Sequence, residues 1–213
     1  MNFKKDKYKI IKKAISPDLG EFCFNYLQNK TRAVKHMFDV RYLSPYDNTY
    51  GIFNDIQAPN TYSCYADVVM ETLLMGLFPK MEKETDLKLF PNYSYTRLYQ
   101  KDDILVRHTD RYSCEVSTTL FLGGDKWPIY LDVSGQNNNS GIKVDLEQGD
   151  MLIYRGADLQ HWREPFKGDV CAQAFFHYND ASDKNAETNK FDRRPFIGLP
   201  NYFIRGDEKS KNK

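Results

Sequence analysis

Two residues near the middle of the chain, His108 and Asp110, constrain it more than anything else. They close the run YSYTRLYQKDDILVRHTD, residues 93–110. In an extended segment, side chains two apart point to the same face, so this imidazole and this carboxylate can converge. A third donor stands at His161, beyond a second strand-like run, Gly149-Asp150-Met151-Leu152-Ile153-Tyr154-Arg155-Gly156. An HxD pair alone is a weak signal, and a lone strand histidine serves a core more often than a metal. The weight lies in the set: the chain has four histidines, His36, His108, His161 and His177, and two of them occupy these places.

Composition narrows the setting. At 213 residues the chain is long enough for one domain with a sizeable core. Aromatic residues reach 15%, mostly Tyr and Phe, which favours strands. A formal net charge of +1 gives no electrostatic reason to expect nucleic acid or a membrane surface as partner. No apolar run is long enough to cross a bilayer. The basic start, MNFKKDKYKIIKK, lacks the apolar stretch and cleavage site of a secretory signal. Cys23, Cys64, Cys114 and Cys171 form no CxxC pair, so reduced thiols and a cytoplasmic location are expected.

Along the chain, residues 8–15 alternate weakly and suggest a first strand. Ser16 as N-cap and Pro17 at the first helical position open a helix expected from Pro17 to about Lys35. Residues 39–61 read as irregular, with a hairpin near Asp47-Asn48. A second helix is expected from about Ser63 to Lys88, kinked or divided at Pro79. After Pro91 the pattern changes to short β-rich runs: 93–99, 104–108, 115–122, 129–133, 142–146, 151–154 and 170–178. Glycine, Asn and Asp turns separate them. The fold class is therefore α+β, mainly β: a double sheet or barrel with helices on one face. Residues 1–90 serve as helical support plus a first strand, 91–180 as the β core and 181–213 as an extension whose last eight or so residues are expected to be disordered.

Two neutral imidazoles and one ionised carboxylate, with positions left open, are the facial triad of non-haem Fe(II) oxygenases. A structural zinc site would be expected to add a fourth protein ligand, often Cys, and Cys171 leaves that alternative open.

Beyond these donors, the sequence resembles the Fe(II)- and 2-oxoglutarate-dependent dioxygenases of the prolyl 4-hydroxylase-like group. The resemblance covers roughly residues 93–178 and rests on four features. They are Tyr99 followed by His108-Thr109-Asp110, the run SCEVSTTLFLGG (113–124), Gly149-Asp150-Met151-Leu152-Ile153-Tyr154, and His161-Trp162-Arg163-Glu164-Pro165-Phe166. The wording also looks like members of the group found in marine viruses and bacteria. The resemblance implies a double-stranded β-helix, or jelly roll, with His108, Asp110 and His161 as catalytic metal ligands. Its cofactors would be Fe(II) and 2-oxoglutarate, with ascorbate keeping the iron reduced. Tyr99 matches the tyrosine that hydrogen-bonds the 2-oxoglutarate carboxylate.

The chain departs from the group on the last strand, where a basic residue usually pairs with the far carboxylate of 2-oxoglutarate. Val170 and Cys171 stand there instead. Arg163, two residues after His161, is the first alternative for that role, and Arg97, two before Tyr99, is the second. The expected activity is hydroxylation of an unactivated C–H bond, with a prolyl residue of a peptide or protein as substrate. Tyr42, Tyr46, Tyr50, Phe53, Trp127 and Trp162 are candidates for an aromatic groove. The alternatives are a free amino acid or small metabolite as substrate, a non-catalytic cupin-like module that keeps a metal, and zinc-dependent hydrolysis.

Overall fold

The computed structural model describes residues 2–136 and 139–203. The helices are α1 (Phe3–Asp6), α2 (Pro17–Asp39), α3 (Val68–Thr85) and α4 (Ala186–Asn189). The strands are β1 (Tyr8–Ile11), β2 (Ile52–Asp55), β3 (Ala58–Tyr65), β4 (Leu89–Gln100), β5 (Leu105–His108), β6 (Val116–Gly124), β7 (Ile129–Leu131), β8 (Ile142–Val144), β9 (Met151–Arg155), β10 (His161–Arg163) and β11 (Val170–Asp180). Short 3-10 turns lie at Tyr112–Cys114 and Lys190–Arg193.

The strands form two antiparallel sheets. The larger runs β1-β9-β6-β11-β4-β3-β2 and the smaller runs β5-β10-β7-β8. The central strands β4, β6, β9 and β11 of the large sheet are buried on both faces, so their burial shows little alternation. Their two faces still differ. Leu120 and Leu122 of β6, Met151 and Ile153 of β9, and Phe176 and Tyr178 of β11 join one core with Leu27 and Val34 of α2 and Met70, Leu74 and Met81 of α3. The intervening positions, Phe121, Leu152, Tyr154, Cys171 and Phe175, share a second core with Tyr99 of β4 and with Trp127, Ile129 and Leu131. That second core fills the space between the sheets, and the polar residues of the site sit at one end of it. This mainly β architecture of two antiparallel sheets, with helices packed on the large one, is the jelly roll expected.

The helix starts follow local chemistry. Ser16 Oγ caps α2 by accepting from the Leu19 N–H at 3.2 Å, with Pro17 in the first turn. Asp67 Oδ1 caps α3 by accepting from the Met70 N–H at 3.1 Å.

Three local expectations are corrected. Residues 58–65, partly assigned to the second helix, are strand β3, which pairs with both β2 and β4. The hairpin turns at Ile56-Gln57, between β2 and β3, and not at Asp47-Asn48. Pro79 neither kinks α3 into two helices nor ends it. It lies on the exposed side with Met75, so the Met75 carbonyl that lacks an N–H partner faces water, while Leu74, Leu77 and Met81 hold the opposite face in the core. The expected disorder of the last eight residues falls outside the described residues. No helix among the described residues is long and apolar enough to cross a membrane.

Candidate metal centre

Strands β5 and β10 are antiparallel neighbours, with His108 directly opposite His161. Between this pair and the next, Leu105 opposite Arg163, the register shifts because β5 carries one extra residue. A one-residue bulge changes which side chains share a face. Here it turns both Leu105 and His108 inward to line one cavity, while Val106 between them is 68% exposed. Asp110 lies just past the end of β5. Its N–H donates to the Gly156 carbonyl at 2.9 Å, which anchors it beside the end of β9. Convergence of His108 and Asp110 thus comes from a bulge and a loop anchor, not from simple strand alternation.

The three expected donors meet. Asp110 Oδ1 is 3.6 Å from His108 Nε2 and 3.5 Å from His161 Nε2, and the two imidazole centroids are 4.3 Å apart. One ligand atom from each residue lies within 4.8 Å of the others. Each histidine uses its other nitrogen on the backbone two residues earlier. His108 Nδ1 is 2.7 Å from the Val106 carbonyl and His161 Nδ1 is 3.0 Å from the Leu159 carbonyl. A proton held on Nδ1 by a carbonyl leaves a lone pair on Nε2, the tautomer a metal needs. Burial opposes charge on Asp110, but contacts with His108 and His161 outweigh it and hold the carboxyl far below the usual carboxylate range. Burial likewise disfavours charge on His108, and the hydrogen bond to Asp110 more than compensates, raising its pKa. Two neutral nitrogens and one carboxylate oxygen on one side of an open space suit a ferrous ion with sites left over. The donor set fits that metal, and no fourth protein donor closes it among the described residues.

The second oxygen of Asp110 is held as well. Ser117 Oγ on β6 lies 2.8 Å from Asp110 Oδ2. Gly156 faces the same carboxylate so closely that a Cβ there would collide with Oδ2 and come within 2.7 Å of Ser117 Oγ.

The donors open into a cavity of about 340 Å³, also lined by Asp55, Tyr93, Tyr95, Arg97, Tyr99, Arg111, Tyr154 and Phe175. Arg97 is buried but already satisfied in part. It donates to Asp55 Oδ2 at 2.9 Å, to Gln57 Oε1 at 2.8 Å and to the Tyr99 hydroxyl at 3.2 Å. Arg163 is different. It points from β10 into the space between the sheets at 1% exposure, where it donates to the Trp127 carbonyl and, at 3.2 Å, to Thr119 Oγ1. Its Nε has no partner, and among the described residues no carboxylate pairs with it. Burial accordingly pushes its pKa down. Asp158, five residues before it in sequence, pairs instead with Lys7 at 3.0 Å. A buried cation lacking an anion is costly, and Arg163 lies behind the residues that line the cavity rather than among them. Cys171 and Tyr99, both fully buried, belong to the same interior core, and Tyr99 also lines the cavity.

Six aromatics expected to form a groove do not line this cavity. Tyr42 and Tyr46 are exposed, Trp127 is buried against Arg163, and Trp162 stacks on Tyr130 with centroids 5.6 Å apart. Of the tyrosines that do line it, Tyr93, Tyr95 and Tyr99 alternate along β4 and Tyr154 comes from β9. Sequence reasoning also gave no role to Ser117, Gly156 or His177. Their places follow from strand pairing between β6, β9 and β11 across long stretches of chain.

No family model matches the sequence, and no curated protein matches it. Solved structures do match the fold. HygX from Streptomyces hygroscopicus, crystallised with nickel, 2-oxoglutarate and hygromycin B, superposes with a TM-score of 0.60 at 15% identity, over 96% of this chain and 94% of HygX. A Pseudomonas putida prolyl-4-hydroxylase superposes at 0.53 and 14% identity, over 84% and 96%. SnoN, a non-haem α-ketoglutarate-dependent epimerase of nogalamycin biosynthesis, superposes at 0.62 and 10% identity, over 98% and 94%. The chain has the fold of the Fe(II)- and 2-oxoglutarate-dependent oxygenases, a double-stranded β-helix with supporting helices on its large sheet.

Proposed function

We propose that this chain is an Fe(II)- and 2-oxoglutarate-dependent oxygenase with His108, Asp110 and His161 as its metal ligands. The observation that carries the reading is the meeting of both histidine Nε2 atoms and Asp110 Oδ1 at the wall of an open cavity, with both Nδ1 atoms already engaged. When bound there, Fe(II) and 2-oxoglutarate supply the oxidising power: dioxygen is consumed, the oxoacid becomes succinate and carbon dioxide, and a substrate C–H becomes C–OH. The chain's own residues bind and orient. Arg163 and Tyr99 hold the far carboxylate of 2-oxoglutarate, supported by Thr119. Arg97, neutralised by Asp55, faces the cavity and serves the substrate side. Tyr154 packs edge-on against His161 at 4.8 Å and keeps that side of the site free of water.

The substrate we favour is a prolyl residue of a peptide or protein, whose ring suits a cavity walled by Tyr93, Tyr95 and Phe175. A small metabolite is the second reading, since HygX shares the fold and is seen with hygromycin B. Ascorbate would keep the iron reduced.

Anaerobic addition of Fe(II) and then 2-oxoglutarate to the purified chain tests the proposal. The expected result is a visible metal-to-ligand charge-transfer band, followed by succinate once air is admitted. Asp110→Ala abolishes both while the fold persists. A wild-type chain that binds Fe(II) but neither develops the band nor binds 2-oxoglutarate would leave the cupin-like module as the better reading.

A further inference from the structure

Behind Asp110 lies a second set of donors that the oxygenase reading does not use. Cys114 and His177 each bring one ligand atom within 4.8 Å of Asp110 and of each other. Cys114 follows Asp110 on the 3-10 turn, and His177 comes from β11, so the three are brought together only by the fold. Both are largely buried, yet all three line the cavity, so an ion and its water can reach them. Their present hydrogen bonds are weak competitors for a metal. The Cys114 thiol sits 3.0 Å from the Tyr93 hydroxyl, and His177 Nδ1 lies 3.0 Å from Ser117 Oγ. Cys23, Cys64 and Cys171 join no such set among the described residues.

We propose that Cys114, His177 and Asp110 form a second metal site, selective for a thiophilic ion such as Zn(II), that shares Asp110 with the first and inhibits it. Softness separates the two sites. Imidazole and carboxylate alone suit Fe(II), whereas a thiolate donor favours Zn(II). Three protein donors plus cavity water complete a four-coordinate zinc. The shared carboxylate couples them. An ion at the thiolate site draws Asp110 away from His108 and His161, and two dications across one carboxylate repel. By linkage, each ion then weakens the other by the same factor. The existence of this site does not depend on the oxygenase reading; only its inhibitory consequence does.

The test is a Co(II) titration of the full, metal-stripped chain under anaerobic conditions, with a phosphine reductant. Two equivalents are expected, one of them with thiolate-to-cobalt charge-transfer absorption in the near ultraviolet. Cys114→Ser removes that absorption and one equivalent, and keeps the other. His108→Ala does the converse. Zn(II) also outcompetes Fe(II) at an imidazole–carboxylate site, so the coupling is read with Co(II) alone: the weaker equivalent binds the wild type about tenfold less tightly than the single equivalent binds Cys114→Ser. If Cys114→Ser does not fold, His177→Gln takes its place. A single equivalent without thiolate absorption in the wild type, or absorption that survives Cys114→Ser, overturns the proposal. Loss of the equivalent that needs His108, with the thiolate band intact, would instead count against the oxygenase reading alone.

Discussion

The Asp110 carboxylate rests on the α-carbon of Gly156, and the same two residues are joined by the Asp110 N–H to Gly156 carbonyl bond at 2.9 Å. A methyl group at 156 would occupy the space of Asp110 Oδ2. Gly156 has no left-handed backbone to maintain, so alanine is tolerated in φ and ψ, but its Cβ would also lie 2.6 Å from the Cys114 carbonyl and 2.7 Å from Ser117 Oγ, so these must yield along with the carboxylate. Gly156→Ala is expected to weaken metal binding by tenfold or more, about 1.4 kcal/mol, with little change in the far-ultraviolet spectrum. Metal titration by calorimetry, beside a thermal melt, checks it.

Arg163 should show opposite effects on stability and on cosubstrate binding. Its guanidinium is buried with an unpartnered Nε and no carboxylate. Replacing a poorly compensated buried charge by an apolar side chain of similar length relieves desolvation. Arg163→Met is therefore expected to keep or raise the stability of the chain without ligand, by about 1 kcal/mol, while 2-oxoglutarate binding is lost. Urea denaturation and anaerobic titration measure the two. Unchanged 2-oxoglutarate affinity would shift the role to Arg97.

Asp192 is expected to make the stability of the turn after α4 pH-dependent. It sits in a turn with three successive left-handed residues, Phe191, Asp192 and Arg193, at φ 59°, 55° and 68°. There it accepts from Arg111 at 2.9 and 2.8 Å and from the Tyr65 hydroxyl at 2.7 Å. Burial works against its charge, but the Arg111 contacts outweigh this and lower its pKa. A depressed carboxylate contributes stability above its unfolded pKa, about 3.9, and loses it as pH falls through the folded value. Asn tolerates the left-handed region, so Asp192→Asn isolates the charge. The variant is expected to be less stable by about 1 kcal/mol at neutral pH, Arg111 being half exposed. The gap should close below about pH 4 in denaturation curves taken across pH.

Arg194 and Glu71 form an ion pair at 2.6 Å with both side chains fully buried. Arg194 also donates to the Asn92 carbonyl at 3.0 Å, and the Gly198 N–H donates to Glu71, so the pair ties the segment after α4 to α3 and β4. Removing one partner strands the other charge in the interior. Arg194→Ala is expected to cost about 3–5 kcal/mol, visible as a large drop in the denaturation midpoint.

Much of the site was legible because its chemistry is local in sequence. His108 and Asp110 are two apart, and His161 follows a glycine-bounded strand. Ser16-Pro17 announced α2 through capping alone. Where local signals failed, packing had overridden them. Pro79 reads as a helix breaker, but its missing N–H falls on a solvated face. Residues 63–65 read as the start of a helix beside an apolar stretch, but they end strand β3, which lies against β4.

By itself the sequence determined which atoms can bind a metal, that the chain is mainly β with its long helices in the first half, and that no basic residue stands at 170 or 171. Donor chemistry, periodicity and capping act over a few residues. Tertiary structure alone decided that a bulge in β5 turns His108 toward His161, that Gly156 makes room for Asp110, and that Arg163 lies buried without an anion. It also brought Cys114 and His177 close to Asp110. These depend on strand register between segments tens of residues apart, and nothing in a local pattern encodes which side chain will face which across two sheets.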